Sequence, residues 1–179
     1  VRGVAAKVLL TGPPGCGKTT VARKIAGILG VRASGFFTEE VRDEMGSRAG
    51  FRVESTDGRR GELSGKRAGP GPRVGAYLVD VRSFESVALP SLAGEARRVF
   101  LIDEIGKMEC FSEAFRTRVR EILDSEAPVL ATIPLRGGGS FLDGIRIRRD
   151  ARIIVVTREN RDRLPGEIAR MFDGILSCP

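Results

Sequence analysis

The octapeptide from Gly12 to Thr19, Gly-Pro-Pro-Gly-Cys-Gly-Lys-Thr, works only between a buried strand and a helix, so it commits the chain to an α/β sheet. Its spacing is the complete G-x-x-x-x-G-K-[ST] phosphate-binding pattern. The flanks agree: Val8, Leu9 and Leu10 form an apolar β-prone run before it, and residues 20–29 carry helical spacing after it. The implied ligand is a nucleoside triphosphate. Gly12, Pro13, Pro14, Gly15, Cys16, Gly17, Lys18, Thr19 and Thr20 are the candidate nucleotide-binding residues. Glycines let backbone N–H groups turn toward an anion, and the first turn of the helix adds its positive dipole end. Lys18 is placed to reach the β- and γ-phosphates, and the Thr19 hydroxyl to ligate Mg²⁺. Cys16 reads as a small filler within the loop rather than a nucleophile.

A second pattern predicts the same geometry independently. Val99-Phe100-Leu101-Ile102 is the apolar run of a strand buried on both faces, and it closes in Asp103 and Glu104. The carboxyl end of such a strand lies on the same sheet edge as the phosphate loop. Asp103 then holds Mg²⁺ through a water, and Glu104, on the opposite side by strand alternation, faces the γ-phosphate and polarises a water. Val129 to Pro134 reads as a third buried strand, and in the phosphate-loop class that places a glutamate after this aspartate such a strand lies between the other two. Its Thr132 is either a sensor of the γ-phosphate or attacking water, or an ordinary strand-end threonine.

Strand-like runs fall near residues 4–10, 34–42, 49–55, 74–81, 98–103, 128–133 and 152–156, and helical ones near 18–30, 84–96, 111–125 and 160–173. The alternation predicts a mostly parallel sheet flanked by helices, in one domain over 1–179. Residues 35–81 interrupt it with short β runs and turn residues, which reads as an inserted β-hairpin or meander. Asp57-Gly58 supplies the hairpin turn. The glycine- and proline-rich stretch 58–73 is expected to be a mobile loop near the phosphates.

Composition removes other chemistries. There is no histidine, and the three cysteines, Cys16, Cys110 and Cys178, form no C-x-x-C pair, which argues against zinc and Cys–His catalysis. No apolar run is long enough to span a membrane, no leader is expected before the first strand, and the scattered cysteines suit a reducing cytoplasm; the sequence does not give the oligomeric state, for which a monomer is the default expectation. Residues 1–98 hold 17 basic and 10 acidic side chains, whereas 99–179 hold 13 of each. The basic half suggests a polyanion partner such as nucleic acid. With one tyrosine and no tryptophan there is little to stack bases on, so nucleic acid is not the favoured partner.

Beyond these motifs the chain resembles the small nucleoside-triphosphatases of archaea, bacteria and animals, the family that includes the human cancer-related nucleoside-triphosphatase. The resemblance is carried by residues 12–20, by Gly35-Phe36-Phe37-Thr38-Glu39-Glu40-Val41-Arg42, and by Gly50-Phe51. It continues through Val74 to Val79, through Asp103-Glu104-Ile105-Gly106-Lys107-Met108-Glu109, and through Asn160-Arg161-Asp162. It implies a P-loop NTPase with a RecA-like core, hydrolysing several nucleoside triphosphates with Mg²⁺ to the diphosphate and phosphate. Arg42 and Arg48 are then candidates for an arginine finger, or solvated surface charges. Lys107 and Glu109 either line the cleft or form a surface pair. Asn160 and Arg161 either contact the base, by stacking in the case of Arg161, or belong to a helix start. Two rival functions share these motifs: a small nucleotide or nucleoside kinase, with 58–73 as its lid, and a nucleic-acid-associated ATPase.

Overall fold

The computed structural model describes residues 7–94 and 98–177. In chain order the elements are β1 (Lys7–Thr11), α1 (Lys18–Leu29), β2 (Ala33–Arg42), β3 (Arg48–Ser55), β4 (Arg60–Gly65), β5 (Arg73–Val74) and β6 (Tyr77–Val79). They continue with α2 (Val81–Ser91), β7 (Val99–Asp103), α3 (Glu113–Asp124), β8 (Val129–Thr132), α4 (Gly139–Arg146), β9 (Ala151–Val155) and α5 (Leu164–Leu176). Among the described residues nine strands join one sheet in the order β5-β6-β4-β3-β2-β7-β8-β1-β9. β2, β7, β8, β1 and β9 run parallel, and β3 to β6 extend the sheet antiparallel. The ten-residue β2 joins the halves, its first part pairing with β7 and its remainder with β3.

The apolar runs are continuous because both sheet faces are covered. Val8 and Leu10 pack into one core with Val21 and Ile25 of α1 and Ile168 and Phe172 of α5. Leu9, between them, enters the other core, with residues of α2, α3 and α4. Strand alternation sends Val99 and Leu101 to the first core and Phe100 and Ile102 to the second. In the second core Phe36, Phe84 and Phe115 meet edge to face at centroid distances of 5.2–5.8 Å. Such contacts add about 0.5–1.5 kcal/mol each beyond area burial.

Three elements, β4, α4 and α2, depart from the sequence reading. Residues 58–73, expected to be a mobile loop, contain β4, hydrogen-bonded between β3 and β6 with Leu63 and Ser64 buried. With Leu63 as its single large apolar residue, this strand exists through pairing rather than pattern. Helix α4 was hidden by the glycines at 137–139 and at 144. Helix α2 begins at Val81 rather than 84, because Asp80 caps it by accepting a hydrogen bond from Ser83 N at 2.9 Å. Positions 4–6 of the expected first strand, and 95 and 96 of the expected second helix, lie outside the described residues.

Candidate active site

The order β7-β8-β1 sets the carboxyl ends of the three strands singled out in the sequence side by side, with β8 between the other two. The phosphate loop leaves β1 through Gly12, Gly15 and Gly17, at φ 149°, 74° and 108°, conformations that side chains other than glycine rarely adopt. A Cβ on Gly12 would come within 2.8 Å of both Cys16 Sγ and Val156 O, so Cys16 does fill the underside of the loop. Lys18 Nζ donates to Gly12 O at 3.1 Å and Pro13 O at 3.4 Å, curling the ammonium over the loop.

Thr19 Oγ1 donates to Asp103 Oδ1 at 3.2 Å, tying the head of α1 to the end of β7. Thr132 Oγ1 donates to the same oxygen at 2.6 Å. Thr132 is fully buried, with its hydroxyl committed to the Asp103 carboxylate, and it does not line the cavity. Asp103 is itself buried, and its Oδ2 has no hydrogen-bond partner. Burial raises the Asp103 pKa, with the two threonine hydrogen bonds and the Arg23 charge opposing the rise.

A cavity of about 830 Å³ opens over the loop. It is lined by Gly12, Pro14, Gly15, Gly17, Lys18, Thr19, Thr20 and Glu104, and also by residues given no site role in the sequence, several of them from the segments that carry the family resemblance. These include Thr38, Glu39 and Glu40 of β2, Phe51 of β3, Leu63 of β4 and Val74 of β5, together with Met108, Leu135 and Arg136. The meander thus closes one side of the site. No local motif marks Leu63, because strand pairing brings it there.

Lys107 and Glu109 also line the cavity and form no ion pair with each other. Glu109 is buried, and a Cβ on Gly106 would sit 2.6 Å from Glu109 Oε2 and 2.9 Å from Glu104 Oε1. The glycine at 106 therefore lets two carboxyl groups converge. Burial, reinforced by the charges of Glu104 and Asp103, pushes the Glu109 pKa up to about 8. The Glu104 pKa is raised mainly by burial, with Lys18 pulling it down and Asp103 pushing it up.

Arg161 lies on the far side of the loop, its Cδ 3.4 Å from where a Cβ on Gly17 would be, in a recess shared with Thr20, Val21 and Lys24. Asn160 uses its amide on the backbone: Thr157 N donates to Oδ1 and Nδ2 donates to Val155 O, each at 2.8 Å. It caps no helix, because α5 begins four residues later with Pro165 in its first turn. Arg42 and Arg48 both pair with Glu40 and stand outside the cavity wall.

A family model described as NTPase matches residues 7–169. Nucleoside-triphosphatase THEP1 of Aquifex aeolicus is 43% identical over 93% of this chain and 99% of its own length. The THEP1 protein of Thermofilum pendens is 47% identical, covering 97% of this chain and 98% of its own. The human cancer-related nucleoside-triphosphatase is 44% identical over 92% and 95%. The crystal structure of the Aquifex protein superposes with a TM-score of 0.86 over 93% of this chain and 99% of that one. The solution structure of the human protein gives 0.80 over 97% and 99%. These neighbours share the P-loop NTPase fold, and the chain belongs to the nucleoside-triphosphatase family of THEP1 and the human cancer-related nucleoside-triphosphatase.

Proposed function

We propose that this protein hydrolyses nucleoside 5′-triphosphates to the diphosphate and phosphate in a Mg²⁺-dependent reaction with broad base preference. The observation that carries the proposal is the Thr19–Asp103 contact, which joins the end of the phosphate loop to the acidic strand end, with Glu104 in the wall of the same cavity. The donor set fits a hard divalent cation: a threonine hydroxyl and a carboxylate whose Oδ2 is buried and otherwise unpartnered. Thr19 and Asp103 would hold it, Asp103 through a water. When bound, the ion screens the charge of the triphosphate and polarises its phosphoryl oxygens.

The rest of the work falls to the chain. The N–H groups of the loop and of the first turn of α1 bind the phosphates, and Lys18 moves from the loop carbonyls to the β- and γ-oxygens. Thr132 acts by position, holding the Asp103 carboxylate in one orientation through its 2.6 Å hydrogen bond. Glu104 orients a water in line with the γ-phosphate and takes its proton at a carboxylate oxygen. The raised pKa that burial gives Glu104 makes it a stronger proton acceptor than an exposed glutamate. Arg161 stacks on the base. A π face carries little base identity, so one site serves several nucleotides.

The test is Glu104→Gln, which keeps shape and removes the proton acceptor. Steady-state phosphate release should fall by about 10²–10⁴-fold. Affinity for Mg²⁺-nucleotide, measured on the same preparation, should stay within a few-fold. Phosphate release at the parental rate would remove Glu104 from the chemistry. An absolute requirement for an added nucleoside or nucleotide acceptor would indicate a kinase instead.

A further inference from the structure

Hydrolysis as proposed above sets only Lys18 against the charge that develops on the γ-phosphoryl group. Phosphoryl transfer spreads negative charge over the equatorial oxygens, and a guanidinium placed against them raises turnover by about 10³–10⁵-fold in enzymes that have one. Arg42 and Arg48, the sequence candidates, are committed to Glu40, and Arg42 Nη1 also donates to Gly46 O at 2.7 Å. Among the described residues, one arginine lines the cavity, and it is Arg136. It is exposed and, among those residues, makes no ion pair with a carboxylate.

The mounting of Arg136 is specific. It follows β8, the strand between the one that delivers Lys18 and the one that delivers Asp103 and Glu104. Immediately after it, Gly137, Gly138 and Gly139 have φ of 74°, 96° and 80°. Three successive left-handed residues make a reversal that side chains other than glycine resist, and a Cβ on Gly138 would run into Leu142. Arg146 then reaches back from α4. Its Nη2 donates to Pro134 O at 2.9 Å and to Gly137 O at 2.7 Å, bracketing Leu135 and Arg136 on both sides. Asp143 steadies Arg146 by accepting from Nη1 at 2.9 Å. The backbone of the turn is stapled while the Arg136 side chain is left free at the cavity mouth.

We infer that Arg136 is a catalytic arginine supplied in cis, folding onto the γ-phosphoryl oxygens when nucleotide is bound; this rests on the hydrolytic reading above. In the step it serves, a water oxygen bonds to the γ-phosphorus while the bond from that phosphorus to the β–γ bridging oxygen breaks. The water proton passes to Glu104, and the electron pair leaves on the diphosphate. Arg136 and Lys18 neutralise the charge that accumulates on the equatorial and bridging oxygens. Arg146 is a positioning residue that acts through the turn.

The experiment compares the parent with Arg136→Ala, Arg136→Lys and Arg42→Ala. It measures kcat, the Kd for Mg²⁺-ADP, and the tightening of that Kd when aluminium fluoride is added to mimic the transferring phosphoryl group. Arg136→Ala should lower kcat by about 100-fold or more. It should leave the Mg²⁺-ADP Kd within about three-fold and abolish most of the aluminium fluoride tightening. Arg136→Lys should recover only part, because an ammonium lacks the planar fork. Added guanidinium should partly restore Arg136→Ala, whereas Arg42→Ala should match the parent. A folded Arg136→Ala protein with parental kcat and parental aluminium fluoride tightening overturns the assignment. If the parent itself releases no phosphate, the hydrolytic reading fails. The aluminium fluoride comparison then still decides whether Arg136 meets a transferring phosphoryl group.

Discussion

Three carboxyl groups crowd the end of β7, and each has a different environment. Asp103 is held by two threonine hydroxyls, Glu104 faces Lys18 across the cavity, and Glu109 is buried with its pKa near 8. A carboxyl whose folded pKa lies above its unfolded value of 4.5 favours the folded state most when protonated. Its contribution is therefore complete below about pH 4.5 and is lost as pH rises through about 8. Each pKa unit corresponds to about 1.4 kcal/mol, so the loss across that window is on the order of a few kcal/mol. Glu109→Gln replaces the proton by a permanently neutral amide. Denaturant unfolding between pH 5 and 9 should show the variant gaining stability relative to the parent as pH rises. Parallel pH profiles would mean that Glu109 is already ionised in the folded protein. Its two readings in the sequence, cleft wall and surface ion pair, could not be separated there, because burial of Glu109 depends on how residues 104–109 turn back over the site.

At the scale of elements, glycines of opposite character occur in β2 and α5. Gly35, at φ 152°, lies where a Cβ would be driven into the Leu101 carbonyl of β7. Gly35 is at the middle of the parallel pairing of β2 with β7, opposite Leu101, so Gly35→Ala must push apart two central strands. The expected cost is about 3 kcal/mol or more, read as a lower denaturant midpoint. Gly166, inside α5, has nothing within 4 Å of its would-be Cβ. Gly166→Ala should instead raise stability by about 0.5–1 kcal/mol, because alanine loses less backbone entropy in a helix. Equal effects at the two positions would contradict the close β2–β7 approach. The same contrast explains the elements the sequence concealed. Helix α4 forms despite its glycines because Leu142 and Ile145 are buried in the core and Arg146 grips the preceding turn.

At the scale of the molecule, several arginines of the basic first half are tied into ion pairs. Within the meander, Arg42 and Arg48 pair with Glu40, Arg52 with Glu39, Arg60 with Glu54 and Arg67 with Glu62. Arg23 joins the same system, bridging Glu39 and Glu54 while stacking 4.5 Å from the centre of the Phe37 ring. Solvent-exposed pairs of this kind contribute little singly, but these six arginines share four glutamates, so most of their charge is offset locally. The cations at the nucleotide cavity, Lys18, Lys107 and Arg136, stand apart from that balance. Selectivity should follow the same division, with phosphates read by charge and the base by the face of Arg161. ATP, GTP, CTP and UTP should be hydrolysed with kcat/KM values within about two orders of magnitude, since rejecting a base strongly requires buried polar readout. A strict preference for one base would point to hydrogen-bonding groups on the base side beyond Arg161.

Local chemistry alone determined the phosphate loop, the acidic strand end and the alternating architecture. Glycine spacing, apolar runs and the lysine–threonine pair act over a few residues, and their physics is the same wherever the chain goes. The partners of those residues were decided by the tertiary structure. Thr132 became a hydrogen-bond donor to Asp103 because β8 lies beside β7. Leu63 became a cavity wall because β4 pairs between β3 and β6, and Arg48 was drawn across the β2–β3 hairpin to Glu40, which Arg42 reaches along β2 itself. With 25 arginines in the chain, composition could not select among them. Sheet order and the glycine reversal after β8 brought Arg136 to the mouth of the site, because long-range strand pairing, unlike a loop motif, leaves no signature in adjacent residues.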